Sequence, residues 1–331
     1  MILKTKFTEM MNCNLPIIGA PMFLVSNEDL VVKVSEKGGV GTTPSLNWRP
    51  PDQFEKALKN IKSQTQKPIG VNIIVNQSNP RQKIDLKISL DVGVDLFITS
   101  LGNPKEVIKQ AHQNGAKVIC DVTNLEHALK VQDLGADGVI AVSSGAGGHA
   151  GPISPFALIP WLKRELNIPI VAAGAIADGY SMAAAFALGA SAVSIGTRLI
   201  ASKEAQVDTA YKQAIVKSTP EDIILTKRIS GTPAAVIRTP YIEKMGTELP
   251  FLLEQFKKIP QAKKIVQMFI YSLGSRSLER SAKGLSWKEV WSAGQSVGAI
   301  NEVLPTEDII DKLMNEYFMA VKSLPLKENL T

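Results

Sequence analysis

One pattern limits the possible folds more than any other: a helical segment ends at Gly-Ala or a close variant, and a short apolar strand follows at once. It appears at Gly38-Gly39-Val40-Gly41, at Gly93-Val94-Asp95 before Leu96-Phe97-Ile98, and at Gly115-Ala116 before Lys117-Val118-Ile119. It returns at Gly135-Ala136-Asp137 before Gly138-Val139-Ile140, and at Gly189-Ala190 before Ser191-Ala192-Val193. Glycine suits the left-handed residue that ends a helix, and strands that are apolar throughout belong to a parallel sheet covered on both faces. The chain is therefore expected to be a run of βα units.

Eight strands are predicted: 16–20, 40–43, 69–74, 95–99, 117–122, 138–142, 170–173 and 192–195. Amphipathic segments such as Asn27 to Glu36, Pro51 to Ile61, Pro104 to Gln113 and Leu125 to Leu134 have helical spacing and lie between them. Eight strands alternating with helices fit a closed (β/α)8 TIM barrel of the α/β class. A doubly wound sheet would carry a GxGxxG turn after the first strand, and none follows Ile17-Ile18. The 331 residues exceed the roughly 250 of a simple barrel, so an extra segment is expected. The βα rhythm stops after about Tyr211. Residues 218–284 are read as a mainly helical cap, with helical stretches at Phe251 to Lys258 and Ala262 to Tyr271. Residues 1–217 and 285–331 form the barrel and a tail that returns to it, ending in a helix from Thr306 to Leu324.

Several function classes are disfavoured. No apolar run approaches the roughly 18 to 20 residues of a membrane span, and Met1 to Met11 has no signal-peptide core, so the protein is expected in the cytoplasm. The net charge of +6 is spread over scattered lysines with no basic run interleaved with aromatics, which argues against a nucleic-acid face. Two cysteines, Cys13 and Cys120, form neither a disulfide framework nor a CxxC metal pattern, so no metal is expected; Cys120 reads as a buried small hydrophobe.

In such barrels the ligand sits at the C-terminal ends of the strands. After the sixth strand comes Ser143-Ser144-Gly145-Ala146-Gly147-Gly148-His149-Ala150-Gly151, whose glycines let backbone pass close to a flat ligand. His149 stands in that setting, suited to acid–base chemistry or to binding an anion, whereas His112 and His127 fall on surface helices. The loops after strands seven and eight carry Ala173-Gly174, Gly179 and Gly196-Thr197, where many barrels bind a phosphate. Ala20-Pro21-Met22 follows the first strand. Asn72 lies inside an apolar strand, where burial without a partner is costly, and points to a ligand hydrogen bond.

Taken in order, 16–22, 38–41, 70–72, Ala146-Gly147-Gly148-His149, Ala172-Ala173-Gly174, Gly196-Thr197-Arg198 and Gly294-Gln295-Ser296 resemble the nitronate monooxygenases, formerly 2-nitropropane dioxygenases. They are also similar to the related FMN-dependent enoyl-acyl-carrier-protein reductases. The resemblance implies FMN, with Ala20, Pro21, Met22 and Asn72 beside the ring and Asp121 touching flavin. It places Gly147 and Gly148 along the ring, Gly174, Gly196 and Thr197 at the phosphate, and Gln295 and Ser296 closing the site from the tail. His149 matches the active-site histidine.

The implied reaction is oxidation of an alkyl nitronate by molecular oxygen to a carbonyl compound and nitrite. An NAD(P)H-dependent reductase acting on an enoyl thioester or quinone is the alternative, and a non-catalytic flavin binder a lesser one. Assembly is open between monomer and homodimer. Many relatives carry Glu and Arg where this chain has Gly145 and Ala150, so the charge near the flavin differs.

Overall fold

The computed structural model describes residues 2–76, 79–229, 231–250 and 290–325. The chain runs α1 (Lys6–Met11), β1 (Ile17–Gly19), α2 (Glu28–Glu36), β2 (Val40–Pro44), α3 (Pro51–Gln64) and β3 (Ile69–Ile74). It continues through α4 (Gln82–Val92), β4 (Leu96–Ser100), α5 (Lys105–Gln113), β5 (Lys117–Val122), α6 (Leu125–Asp133) and β6 (Gly138–Val142). Then come α7 (Pro155–Glu165), β7 (Ile170–Ala173), α8 (Gly179–Ala187) and β8 (Ala192–Ile195). The eight strands pair in sequence order as a closed parallel barrel, sealed where Ile17, Ile18 and Gly19 of β1 lie against Val193, Ser194 and Ile195 of β8. All eight predicted strands are present.

Two apolar layers hold the barrel. Outward residues such as Val71, Phe97, Val118 and Val139 meet Leu58, Ile61, Val107 and Leu162 of the helices, all fully buried. Each such large side chain contributes roughly 1.5–3 kcal/mol relative to exposure. Inward residues Ile18, Val40, Leu96, Ile98, Ile119 and Val171 form a separate cluster that Phe7 and Met11 of α1 join, so the short leading helix plugs the bottom of the barrel. The helices start where polar side chains cap them: Asn27, Asn124 and Asp178 accept from Leu30, His127 and Ser181 amides.

Beyond β8 come α9 (Thr197–Ile200), α10 (Thr209–Lys217), β9 (Ile223–Thr226), β10 (Ala234–Ile237), α11 (Pro240–Met245) and α12 (Thr306–Ser323). Strands β9 and β10 form an antiparallel hairpin, with Ala234 opposite Thr226 and Ile237 opposite Ile223. Helix was expected for most of 218–284. The part described up to residue 250 instead holds this hairpin and one six-residue helix. The alternation in Ile223 to Thr226 is too short to stand out, and the strands persist because they pair with each other and with the barrel loops. Phe251 to Lys258 and Ala262 to Tyr271 lie outside the described residues. Helix α12 packs on α8 and α2, so the tail returns to the barrel as expected. Among the described residues no helix is long and apolar enough to cross a membrane.

Candidate active site

The strand alternation decides what faces the barrel mouth. On β3, Val71 and Ile73 turn outward, leaving Asn72 and Ile74 inside; on β4, Leu96, Ile98 and Ser100 are inward, and on β5, Ile119 and Asp121. The β4–β5 register sets Ile98 beside Ile119, and two residues further on this brings Ser100 to Asp121. Three polar side chains therefore meet under the mouth. Asn72 Nδ2 donates to Ser100 Oγ at 2.7 Å and to the Ile98 carbonyl at 3.3 Å, and Ser100 Oγ donates to Asp121 Oδ2 at 2.5 Å. Asn72 finds protein partners for its amide nitrogen, which satisfies the burial cost that had singled it out. Burial pushes the Asp121 carboxyl up to about 6, and the Ser100 hydrogen bond opposes that rise.

Above this floor is a cavity of about 380 Å³ at the C-terminal ends of the strands. Its lining includes Ala20, Pro21, Met22, Asn72, Asp121, Gly147, Gly148, His149, Ala173, Gly174, Gly196, Thr197 and Ser296. His149 keeps accessible surface at the mouth. The protein packed around the ring nevertheless disfavours the imidazolium and lowers its pKa below the ordinary 6.5.

The loop that carries His149 is clamped on both sides. Gly148 exchanges two backbone hydrogen bonds with Ala235 of β10, at 3.1 and 2.7 Å. On the other side the Gly145 carbonyl accepts from the Gln295 and Ala175 amides at 2.9 and 3.3 Å, and the Gly294 amide donates to Thr197 Oγ1 at 3.0 Å. Gly145 has φ +87°, and a Cβ there would lie 3.0 Å from Ala175 Cβ. The backbone at this position thus favours glycine.

Two predicted residues are not on the lining. Gly179 opens α8, its amide donates to Glu316 Oε2 at 3.1 Å, and a Cβ would lie 1.9 Å from the Tyr317 amide of α12. It is the contact glycine where α8 crosses α12, so its backbone does not serve the cavity. Gln295 is exposed and acts through its amide on Gly145. His112 pairs with Asp137 at 2.7 Å on the helical surface, and Cys120 is buried with Thr99 Oγ1 3.1 Å from its sulfur.

Residues outside the sequence prediction also belong to the site. Ser100 is the middle of the polar chain, and alternation from Leu96 and Ile98 would have pointed it inward. Asn47, from the β2–α3 loop, accepts from the Leu24 amide at 2.8 Å and donates to the Ser26 carbonyl at 3.0 Å, pinning the Pro21–Ser26 loop. Tyr211 walls the cavity, stacks on Trp291 with ring centroids 5.6 Å apart, and donates to the Ser292 carbonyl.

Asn72, Asp121, glycines that follow β6 to β8, and His149 line one cavity. The sequence profile of the nitronate monooxygenases matches residues 4–316. The chain belongs to the nitronate monooxygenase family. It is a flavin-dependent oxidoreductase of that type. FabK of Thermotoga maritima is similar throughout, with 34% identity, a TM-score of 0.85, and 97% of this chain and 98% of that one covered. A probable nitronate monooxygenase of Staphylococcus saprophyticus is 31% identical over 291 residues, covering 74% of this chain and 82% of the other. A 5-hydroxy-7a-methyl-1-oxo-octahydro-1H-indene-4-carboxyl-CoA dehydrogenase of Mycobacterium tuberculosis is 30% identical over 302 residues, covering 89% and 84%. Relatives of this nitronate monooxygenase family member thus carry different substrate names.

Proposed function

We propose that this protein binds FMN across the barrel mouth and oxidises alkyl nitronates with molecular oxygen, giving a carbonyl compound and nitrite. The chain's residues fit the cofactor. A Cβ at Gly148 would meet nothing within 4 Å, and at Gly196 only Ala20 and Met22 at 3.6 Å, so both glycines leave open faces that a side chain would fill. Gly147 and Gly148 would run along the ring, Asn72 and Asp121 would lie beneath it, and Ala173, Gly174, Gly196 and Thr197 would hold the phosphate. Ser296 would close the side towards the tail. The flavin supplies the redox chemistry.

The observation that carries the reading is the placement of His149. It follows Gly147 and Gly148 in the same loop and lines the same cavity as Asp121, and burial of its ring lowers its pKa and so favours the neutral imidazole. A neutral ring nitrogen can accept the α-proton of a nitroalkane, and the resulting imidazolium can donate to the nitro oxygens. Asp121, ionised above about 6, would place a negative charge on the side of the cavity where the flavin ring would lie. The segment 218–284 would act as the substrate-side cap, since its hairpin already touches Gly148.

Likeness to FabK and to a carboxyl-CoA dehydrogenase favours a second reading, NAD(P)H-dependent oxidoreduction of an acyl thioester or quinone. Steady-state assay of flavin-loaded protein with alkyl nitronates in air decides the first. Nitrite and carbonyl product are expected in equal amounts; no nitrite from protein with intact flavin would remove the nitronate assignment.

A further inference from the structure

Beyond Asn72 on β3 and Ser100 at the end of β4, the chain continues outward into apolar residues. Ile74 follows Asn72 on the inward face of β3, and Leu101 follows Ser100; both line the cavity nearer its mouth. Leu24 and Leu46, from the loops after β1 and β2, line it too. These four come from four adjacent strand ends, and the loops are tied in pairs. The Leu24 amide donates to the side chain of Asn47, next to Leu46. The Val75 amide donates to the Ser100 carbonyl at 3.0 Å, and Gly102 is packed so closely on Val75 that a Cβ would lie 2.1 Å from its carbonyl.

Two of the leucines adopt an unusual backbone. Leu24 has φ +64° and Leu101 φ +62°, in the left-handed region that costs an ordinary side chain of order 1–3 kcal/mol. Leu101 is also 60% exposed, a large apolar group held in the open at a site mouth. Neither strain nor exposure serves the core. Among the described lining residues there is no lysine or arginine, and Asp121 is the sole carboxylate. Against these described residues a negatively charged tail finds no lysine or arginine, whereas a hydrocarbon tail finds four apolar side chains.

We infer that Leu24, Leu46, Ile74 and Leu101 form a seat for an uncharged aliphatic chain, so that the substrate is a medium-chain alkyl compound rather than a short or carboxylate-ended one. The inference rests on the assignment of the mouth as the substrate site and names the class of chain that the oxidised group carries.

Two measurements on the flavin-loaded protein test it separately from the reaction. In the first, kcat/KM is compared for the nitronates of nitroethane, 1-nitrohexane and 3-nitropropionate. In the second, acetamide, hexanamide and adipamate are titrated without turnover, and binding is read from the visible flavin spectrum. Each buried methylene should tighten binding about fourfold, so hexanamide is expected to bind at least about tenfold better than acetamide and adipamate at least about tenfold worse than hexanamide.

In the double variant Leu24→Asn/Leu101→Asn, whose side chains tolerate the left-handed backbone, the hexanamide to acetamide ratio should fall below about threefold. Leu24→Gly/Leu101→Gly, judged folded by its flavin spectrum, serves if the asparagine pair does not fold. A flat length dependence, or a preference that survives both double variants, overturns the seat. No nitrite from any nitronate with the amide series intact removes the nitronate reaction and leaves the seat standing.

Discussion

The halves of the barrel mouth are built from the same strand–turn–helix unit and present opposite surfaces. After β6, β7 and β8 the turns are glycine-rich, with Gly145, Gly147, Gly148, Gly174 and Gly196 on the cavity and His149, Ile176, Thr197 and Ile200 as the larger side chains beside them. After β1 to β4 the turns carry Met22, Leu24, Leu46, Ile74 and Leu101, and the cavity meets side chains. Backbone amides can hold a phosphate and pass a flat ring closely, but they discriminate poorly among hydrocarbon tails. Apolar side chains do the reverse. On the proposed function, the cofactor's phosphate and the histidine would belong to one half and the choice of substrate to the other.

The comparison breaks most visibly at His149. His149→Ala should lower kcat/KM for an alkyl nitronate by about 10²–10⁴-fold, the usual reach of a positioned acid–base group, while the protein keeps its flavin and visible spectrum. Gly174→Val is next. Gly174 has φ +114°, and its Cβ would sit 3.1 Å from the Ser143 and Ser144 carbonyls. The variant should be destabilised by about 1–3 kcal/mol in denaturant melts and should purify with little flavin. If it retained full flavin, the glycine half would not be the cofactor's half.

Asp121 sharpens the boundary between the halves. Its carboxyl has a higher pKa in the native state than the ordinary 3.8, so the native fold holds the proton more tightly than the unfolded chain does. This contribution is fully present below 3.8, and it is lost as pH rises to about 6. Asp121→Asn should therefore raise the Tm of the flavin-free protein above pH 6 by on the order of a few degrees, and the advantage should vanish towards pH 4. Ser100→Ala removes the hydrogen bond that opposes the rise, so any activity limb set by Asp121 should move to higher pH. The smallest effect is expected at Gln295. Gln295→Ala keeps the amide that supports Gly145 and should change flavin affinity by less than about twofold, measured by fluorescence titration.

Much of the barrel was legible because its signal is local and repeated. A glycine at the helix end and an apolar run behind it recur before five of the eight strands, so the rhythm did not depend on any one unit. Asn72 and His149 were legible for a different reason, as residue types out of place among apolar strands and glycines. Ser100 was not, because a serine at a strand end is unremarkable until the register sets it beside Asp121. Asn47 was hidden for the same reason: its bonds reach Leu24 and Ser26, 23 and 21 residues away. Gly179 misled in the opposite direction. A glycine after a strand fits a phosphate turn as well as a helix crossing, and only the position of α12 distinguishes them. The hairpin of β9 and β10 was missed because its pairing is with chain that the local pattern does not contain.

The most direct test is a visible spectrum of the flavin-loaded protein in the absence of oxygen, first with NADH and then with a medium-chain alkyl nitronate, followed by air and a nitrite assay. The account predicts that NADH leaves the flavin band largely unchanged, that the nitronate perturbs it, and that nitrite forms once air is admitted. Rapid bleaching of the band by NADH, with no nitrite after the nitronate and air, would contradict it and turn the same mouth into that of a reductase.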